Sequence, residues 1–232
     1  MTPTTRGRFD SEKVAALIPA YMEGGRIAEV VRRVFLQLDH ILVVDDGSSD
    51  ATAGEAREAG AEVIVHAQNQ GKGAAIKTGF KALLERGFDW VLMLDGDGQH
   101  LPEEIERFLN AAAQEPAGII LGNRMNDTRR MPIVRRLTNQ FMSWQISRLC
   151  GQLIPDTQCG FRMIHREVIP SLFCESNSYD YETEMLLIAS REGHRVVSVP
   201  VSTVYGTEQS KISPVRDGLR FAKLIARYQA VG

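Results

Sequence analysis

Residues 90–100 read WVLMLDGDGQH, a short apolar run that ends in acidic residues and glycines. Such a run, bounded by turn residues, is typical of a strand buried inside a sheet. Similar apolar runs recur along the first half of the chain, and helical stretches separate them. The predicted strands are Val14–Pro19, Ile41–Asp45, Ala61–His66, Trp90–Asp95 and Ile119–Leu121. This alternation predicts an α/β fold with a mostly parallel sheet and helices on both faces.

The predicted helices between these strands are Arg26–Leu38, a helix from Asp50 to about Gly60, Gly71–Gly87, and one that starts at Pro102. The second half is less regular. Its predicted elements are a long helix over Pro132–Cys150, a strand at Cys159–Ile164, a helix at Tyr181–Glu192, a strand at Arg195–Pro200 and a helix at Pro214–Ala230. No repeat or linker divides the 232 residues, so we expect a single domain. Within it we expect a flexible tail over residues 1–12 and an amphipathic C-terminal helix over 213–232.

The composition excludes several classes of protein. The 27 basic and 29 acidic residues give a net charge of −2, which argues against a nucleic-acid partner. Cys150, Cys159 and Cys174 lack metal-ligand spacing and indicate reduced thiols in a cytoplasmic protein. No apolar run approaches the roughly 20 residues of a spanning helix, and the first residues lack the apolar stretch of a secretion signal. We therefore expect a protein that is soluble or lies on a membrane surface without crossing it.

Polar residues follow several predicted strands, where parallel α/β sheets bind ligands. Asp95, Asp97 and Gln99 occupy alternate positions, which in an extended segment project to one side. Two carboxylates and an amide oxygen suit Mg²⁺ or Mn²⁺ with positions left open for phosphate, and glycines such as Gly96 permit close approach of a ligand. The alternative is a solvated acidic turn.

Two further positions are candidate ligand contacts. Asp45 and Asp46 end the second strand and can accept hydrogen bonds from a base or ribose, although they can equally cap a helix or shape a turn. Lys72 lies between Gly71 and Gly73 at a predicted helix start, a place that can hold a phosphate. The spacing is not that of a Walker loop, and an ordinary helix start is the alternative.

Five motifs in order resemble those of the family-2 glycosyltransferases, most closely the dolichyl-phosphate (polyprenyl-phosphate) mannosyltransferase branch. They are IPAYME (18–23), VVDDGSSD (43–50), NQGKG (69–73), DGDGQHLPE (95–103) and CGFR (159–162). The resemblance extends from about Val14 to Lys211, although Cys159 stands where the family often has serine. It implies a single-domain GT-A fold, a nucleotide-sugar donor and a divalent metal, Mg²⁺ or Mn²⁺.

The resemblance also implies roles for particular residues. The nucleoside would be held by Pro19, Tyr21, Glu23, Val43 and Asp45. The metal on the diphosphate, beside Gly96, would be held by Asp95, Asp97 and Gln99. Arg124 matches an arginine near the transferring phosphates, Lys211 matches a cation of a mobile loop over the donor, and Arg135 and Asn139 match positions that grip an acceptor phosphate. The residues with expected catalytic roles are Asp97, Arg124 and Arg135.

The acceptor decides what else the reaction needs. A hydroxyl requires a general base, whereas a phosphate monoester is already anionic near neutral pH. Arginines crowd one stretch that has only Asp127 in opposition, which favours an anionic acceptor such as a polyprenyl phosphate, unless this is merely a solvated basic helix start. They are Arg124, Arg129, Arg130, Arg135 and Arg136. Direct attack would invert the anomeric centre.

Several alternatives stay open. A family-2 enzyme with a saccharide or glycolipid hydroxyl as acceptor would use Asp156, Glu182 or Glu184 as base. A nucleotidyltransferase and a non-catalytic subunit are further possibilities. The sequence names neither the sugar nor the nucleoside, GDP and UDP donors being equally compatible, and it leaves the oligomeric state unknown.

Peripheral contact with the cytoplasmic face of a membrane is a second hypothesis. It rests on the last helix, where basic residues form one stripe beside apolar side chains, together with the arginines near 130 and Trp144. The stripe consists of Arg216, Arg220, Lys223 and Arg227, and the apolar side chains are Val215, Leu219, Phe221, Leu224, Ile225 and Tyr228. The alternative is an ordinary amphipathic helix packed on the core.

Overall fold

The computed structural model describes residues 10–129, 131–173, 181–204 and 214–229, with only the backbone of residues 11 and 214–220. Strands and α-helices alternate along this part of the chain. The strands are β1 (Val14–Ala20), β2 (Ile41–Asp45), β3 (Glu62–Val65), β4 (Trp90–Met93), β5 (Ile119–Asn123), β6 (Arg162–His165) and β7 (Val196–Pro200). The α-helices are α1 (Ile27–Phe35), α2 (Thr52–Glu58), α3 (Lys72–Glu85), α4 (Ile105–Gln114), α5 (Ile133–Cys150), α6 (Tyr181–Arg191) and α7 (Pro214–Gln229). Short 3₁₀ helices cover Ser11–Lys13, Pro102–Glu104 and Ile169–Leu172.

All seven described strands form one sheet in the order β3-β2-β1-β4-β6-β5-β7. Neighbouring strands are parallel except β6, which runs antiparallel to both β4 and β5. The register places Ile18 opposite Val43 on one side of β1 and Leu17 opposite Met93 on the other. The predicted α/β architecture with a mostly parallel sheet is therefore confirmed, with β6 as the exception.

The core explains why the central strands are continuously apolar. Every residue of β1 is buried, although successive side chains of a strand point to opposite faces. Both faces of the sheet centre must therefore be covered, and α3 packs on β1 and β2. α1 buries Ile27, Val30, Val31 and Val34, whose spacing is that of one helix face.

The topology fixes where a ligand can bind. The chain leaves β1 for β2 and β3 on one side of the sheet and returns to β4 on the other side. The crevice at the carboxyl ends of β1 and β4 is thus a topological switch point, the usual ligand site of an open α/β sheet. Tyr21 follows β1 and Asp95 comes shortly after β4, so predicted site residues lie at this crevice.

The acidic segment after β4 differs from its prediction. β4 ends at Met93, and residues 95–99 form a turn in which Gly98 has a φ of 77°. The premise of an extended segment with alternating side chains is wrong here, because the glycines allow the backbone to bend immediately after the strand. Within this turn Asp97 Oδ1 accepts a hydrogen bond from the Gln99 backbone N–H at 2.9 Å.

The chain ends partly outside the described residues. Residues 1–9 of the expected tail are not described, and Ser11–Lys13 forms a 3₁₀ turn directly before β1. In α7, Leu224, Ile225 and Tyr228 are buried against the core, as in an ordinary amphipathic helix. These three side chains are therefore not available to a membrane.

A helix that crosses a membrane must be both long and apolar. None of the described helices combines the length and the apolar character that crossing a bilayer requires.

Candidate active site

The loops after β1 and β2 are held together by short polar contacts. Asp45, at the end of β2, is buried and accepts hydrogen bonds from the Ser48 backbone N–H at 3.0 Å and from the Ser48 hydroxyl. The Ser48 Oγ in turn accepts the Met22 N–H at 2.9 Å. This chain of contacts leaves Tyr21 exposed at the mouth of the crevice. Pro19 and Val43 lie buried within β1 and β2, and their predicted contacts with the nucleoside stay predictions.

Glu23 lies in the same loop assembly. Its backbone N–H donates to Thr52 Oγ1 at 2.8 Å, and its carboxylate lies 2.8 Å from the Arg26 guanidinium. Asp50 accepts the N–H groups of Gly24 and Thr52, each at 3.0 Å. The loop after β1, which carries predicted contacts with the nucleotide sugar, is thus fixed to the start of α2 at several points.

Asp45 is the last residue of β2, and Asp46 follows it. Asp46 has a structural role. Its buried carboxylate lies 2.7 Å from His66 Nδ1 and accepts the N–H groups of Gln70 at 2.9 Å and Gly71 at 2.7 Å. A side chain at Gly47 would meet the backbone of residue 68 at 2.6 Å, so this approach also requires glycine. For Asp46 the turn-shaping alternative applies, and its contacts set the position of the α3 start.

Lys72, the first residue of α3, is the centre of a cluster that we call the lysine cluster: Lys72, Asp95 and Glu182. Lys72 Nζ lies 2.6 Å from Asp95 Oδ1 and 3.0 Å from Glu182 Oε2. Burial disfavours the charged forms, but the mutual attraction outweighs it. The pKa of Lys72 is consequently raised and the pKa of Asp95 is lowered.

Two buried groups support the lysine cluster. Arg162 donates to the carbonyl oxygens of Cys159 at 2.9 Å and of Glu182, and its Nε lies 3.8 Å from Glu182 Oε1. His100 Nε2 lies 3.6 Å from Asp95 Oδ2. Within the described residues, Glu182 Oε1 is a buried oxygen that accepts no hydrogen bond.

Gly160 explains how the chain passes so close to these carboxylates. A Cβ at Gly160 would lie 2.7 Å from Asp95 Oδ2 and 3.4 Å from Glu182 Oε1. The first distance is shorter than any ordinary contact, so a side chain there would displace Asp95. The CGFR motif thus contributes a glycine that leaves room and an arginine that holds the neighbouring helix.

The turn after β4 contains oxygen donors suited to a divalent cation. Among the described residues, no three histidine, cysteine, aspartate or glutamate side chains are arranged as a complete metal centre. Mg²⁺ is commonly held by only one or two carboxylates together with substrate phosphates and water. Asp95 and Asp97, with the Gln99 amide, offer oxygen donors of that kind beside the switch point. The residues therefore fit a cation that binds together with a diphosphate.

A second polar group, the arginine cluster, consists of Arg124, Asp156 and Asn139. Arg124 follows β5 and binds both Asp156 oxygens through one edge of its guanidinium, with Nε–Oδ2 at 2.7 Å and Nη2–Oδ1 at 2.8 Å. Asn139, on α5, donates its amide to Asp156 Oδ1 at 2.9 Å. Burial raises the pKa of Asp156, but Arg124 and Asn139 outweigh this effect and the pKa is lowered.

The predicted bases differ sharply in their surroundings. Asp156 is fully buried and is neutralised by Arg124, so it is poorly suited to take a proton from an acceptor. Glu184 is also buried, and its Oε1 lies 3.3 Å from both Arg227 and the Tyr228 hydroxyl of α7. Glu182 alone among the three faces the turn that carries Asp95.

The structure brings together only some of the predicted phosphate contacts. Asn139 contacts Asp156, which is the partner of Arg124. Arg135 lies one helical turn before Asn139 on α5. Arg129 is exposed and pairs with Asp127 at 2.6 Å. Arg130 and Lys211 lie outside the described residues, so their predicted roles stay predictions.

The supporting roles of Arg162 and His100 were not predicted, although both residues occur in the quoted motifs. Their signal was proximity in sequence: Arg162 follows Gly160 by two positions, and His100 follows Gln99. Their targets, Glu182 and Asp95, could not be read from spacing. One signal in the sequence is an arginine at the start of an apolar strand. A buried charge needs partners, so this position indicates a supporting role.

Comparison with solved structures first defines the class. The fold is that of GT-A glycosyltransferases, as in glucosyl-3-phosphoglycerate synthase from Mycobacterium tuberculosis in complex with Mn²⁺, UDP and phosphoglyceric acid. That similarity has a TM-score of 0.70 at 17% identity, over 93% of this chain and 76% of the other.

The family follows from sequence. The family model "Glycosyl transferase family 2" matches residues 15–173, and the chain belongs to this family, which makes it a glycosyltransferase. One relative is UDP-N-acetylglucosamine–dolichyl-phosphate N-acetylglucosaminyltransferase of Methanococcus voltae, 30% identical over 84% of this chain and 86% of the relative. Another is polyprenol monophosphomannose synthase of Mycolicibacterium smegmatis, 31% identical over 83% of this chain and 77% of the relative. The predicted resemblance to the polyprenyl-phosphate branch is confirmed.

Proposed function

We propose that this chain transfers a hexose from a nucleotide-diphosphate sugar, of the GDP-mannose or UDP-glucose type, to a polyprenyl or dolichyl phosphate, with inversion at the anomeric carbon. The observation that carries the proposal is what the two relatives share. Their names differ in the sugar, N-acetylglucosamine or mannose, but both contain a dolichyl or polyprenol phosphate. Both similarities extend over more than four fifths of this chain.

The donor binds across the crevice between β1 and β4 in this proposal. Tyr21 is exposed for stacking on the base, and Glu23 and Asp45 belong to the loops at the carboxyl ends of β1 and β2. Aromatic faces and carboxylates are suitable partners for a base and for ribose hydroxyls. The diphosphate then lies over the turn that carries Asp95 and Asp97.

A divalent cation at this turn would be held by Asp95, Asp97 and Gln99 and would neutralise the diphosphate as it leaves. The chain itself supplies the fixed positions. Lys72 keeps its ammonium against Asp95, and Glu182 holds that ammonium from the other side. The carboxylates are therefore oriented before the donor arrives, and little reorganisation is needed in the transition state.

The burial of two predicted bases supports a phosphate as the nucleophile. Asp156 and Glu184 are occupied by Arg124 and by the side chains of α7. A phosphate monoester needs no base, since it is already ionised. Arg135 is the α5 side chain that we expect to bind this phosphate, because it lies one helical turn before Asn139 of the arginine cluster.

The proposal can be tested by transfer assays with the purified protein. The donors are GDP-mannose, UDP-glucose and UDP-N-acetylglucosamine, and the acceptors are polyprenyl phosphate and unphosphorylated polyprenol, each with Mg²⁺, Mn²⁺ or EDTA. We expect a lipid-linked sugar and release of nucleoside diphosphate only with the phosphorylated acceptor and a divalent cation. Equal transfer to polyprenol, or release of pyrophosphate, would contradict the proposal. The Arg135→Ala variant should lose transfer, with Arg129→Ala as the matched control.

A second candidate function is transfer to a hydroxyl acceptor, and Glu182 is the observation that favours it. Its Oε1 is buried beside Asp95 and accepts no hydrogen bond from the described residues. In that case Glu182→Gln should abolish transfer to a saccharide acceptor, because the amide cannot take the proton. Under the main proposal the same variant lowers transfer to polyprenyl phosphate without abolishing it, because Lys72 keeps Asp95 as its partner.

A further inference from the structure

Lys72 contacts a carboxylate that also fits a divalent cation. Lys72 Nζ lies 2.6 Å from Asp95 Oδ1, and Asp95 is one of the oxygen donors of the turn after β4. An ammonium and a divalent cation beside one oxygen repel each other, because both are positively charged. Asp95 therefore binds one of them well only when the other has moved away.

The second oxygen of Asp95 is crowded on one side. Asp95 Oδ2 lies 3.6 Å from His100 Nε2, and a Cβ added at Gly160 would lie 2.7 Å from it. A cation that binds Asp95 consequently comes close to Oδ1, which is the oxygen that Lys72 contacts.

Glu182 provides a second place for the Lys72 ammonium. Its Oε2 lies 3.0 Å from Lys72 Nζ, and its buried Oε1 accepts no hydrogen bond from the described residues. Arg162 donates to the Glu182 backbone carbonyl, and its Nε lies 3.8 Å from Oε1. A lysine ammonium has three N–H donors, so it can leave Asp95 and bind both carboxylate oxygens of Glu182.

A movement of the ammonium from Asp95 to Glu182 needs no change of the backbone. Asp46 accepts the N–H groups of Gln70 and Gly71, which fixes the chain directly before Lys72. Lys72 is the first residue of α3 and carries its ammonium on a flexible four-carbon stem. A small displacement of the end of this side chain therefore decides between the two carboxylates.

We infer that Lys72 regulates access to the cation site: its ammonium binds Asp95 before the donor arrives and moves to Glu182 when a divalent cation binds together with the nucleoside diphosphate. The inference rests on the proposed function, from which it takes the cation and the donor. A divalent cation alone should bind weakly, because it must displace the ammonium. With a nucleotide, the phosphate oxygens supply further ligands for the cation and a partner for the ammonium at the start of α3.

The alternative is that Lys72 only orients Asp95 for the cation. Its removal would then leave Asp95 less well placed and would weaken cation binding. The inference predicts the opposite sign, so one measurement separates the two.

The experiment measures Mn²⁺ binding to the full chain, without acceptor, from the electron paramagnetic resonance signal of the free ion. Titrations are made with Mn²⁺ alone, with GDP and with UDP, each against a blank without protein. With Mn²⁺ alone, Lys72→Met should bind at least about tenfold more tightly than the wild type, because a competing charge-assisted hydrogen bond is lost. With the nucleotide that binds, this advantage should disappear, because the ammonium has then left Asp95 in the wild type.

Lys81→Met is the matched control. Lys81 is an exposed lysine of the same helix, nine positions beyond Lys72 and therefore about 13 Å away along the helix axis. This variant removes the same charge and should leave Mn²⁺ binding unchanged. Lys72→Gln keeps a hydrogen-bond donor without the charge and should bind Mn²⁺ as Lys72→Met does, so it replaces Lys72→Met if that variant does not fold.

A double-mutant cycle tests the role of Glu182. Glu182→Gln should weaken Mn²⁺ binding in the wild type and much less in Lys72→Met, because only the wild type needs a place for the ammonium. An equal effect in both backgrounds would mean that Glu182 acts through its charge alone, which would overturn the inference.

Two other results would also overturn it. One is that Lys72→Met binds Mn²⁺ alone no more tightly than the wild type does, and the other is that its advantage persists with nucleotide. If Mn²⁺ binds no variant even with GDP or UDP, the inference fails together with the cation of the proposed function. If Mn²⁺ binds with a nucleotide but Lys72 has no effect, only the inference fails. Because no acceptor is present, a failed transfer to polyprenyl phosphate leaves it intact.

Discussion

The lysine cluster and the arginine cluster are both built from a cation and carboxylates, but they differ in balance and in access. Lys72 faces two carboxylates, and the exposed fractions of Lys72, Asp95 and Glu182 are 17%, 30% and 13%. Arg124 pairs with Asp156, and their exposed fractions are 8% and 0%. The first cluster can be reached by solvent and ligands, whereas the second is sealed from them.

This difference indicates separate tasks. A buried, enclosed pair holds elements together, and the loss of one partner exposes the cost of the remaining charge. An open cluster contains carboxylate oxygens that a ligand or a cation can reach. Changes in the arginine cluster should therefore affect folding first, and changes in the lysine cluster should affect transfer first.

The largest effect is expected for Asp156→Ala. This variant leaves the buried Arg124 guanidinium without its carboxylate, which should lower the free energy of unfolding by about 3–5 kcal/mol. Urea denaturation followed by circular dichroism measures the change. A loss below about 1 kcal/mol would mean that the arginine cluster does not hold the fold.

Asp95→Asn should have the complementary effect. We expect transfer to fall by about 10²–10³-fold, as when one charge-stabilising group is removed from a preorganised site. Lys72 keeps Glu182 as its partner, so the urea midpoint should change little. The rate is measured as nucleoside diphosphate released. Unchanged transfer together with a large loss of stability would reverse the assignment of the two clusters.

The pH dependence of stability gives a smaller and more specific signal. The pKa of Asp156 is lower in the folded protein than in the unfolded chain, so its contribution is complete above the unfolded value of about 3.9. The contribution should decline as the pH falls through that value towards the folded pKa. Urea titrations of the wild type and of Asp156→Asn between pH 6 and 3 should show the steeper decline in the wild type. Parallel curves would contradict the lowered pKa.

The smallest effect is expected for Asp127→Asn. Asp127 pairs with Arg129, and both side chains are largely exposed, so solvent already screens this pair. The urea midpoint should not change measurably. A clear loss of stability would show that burial is not the property that distinguishes the arginine cluster from other ion pairs.

The sheet could be predicted from the sequence because its apolar runs are short and separated by helical stretches. The predicted runs at Ile41–Asp45 and near Val14–Pro19 coincide with β2 and most of β1. The acidic turn was placed correctly after β4, but its shape was not. Gly96 and Gly98 permit several backbone paths, and the sequence does not select among them.

The contacts of the two clusters could not be predicted, because they join distant parts of the chain. Lys72 and Glu182 are 110 positions apart, and Arg124 and Asp156 are 32 positions apart. Periodicity identifies which face of a helix is apolar, but not which carboxylate reaches a given cation. For this reason the sequence predicts Asp156 and Glu182 equally as candidate bases, and only the fold distinguishes them.

The reversed direction of β6 couples correct strand pairing to the assembly of the site. Register places Arg162, its first residue, opposite Met93, the last residue of β4. A slip by one position would turn every side chain of β6 to the other face of the sheet, and the Arg162 guanidinium would leave the loop that contains Gly160. A molecule with this mispaired strand would lack the support for Glu182 as well as its packing. Only molecules in which β6 pairs in its native register can form a functional active site.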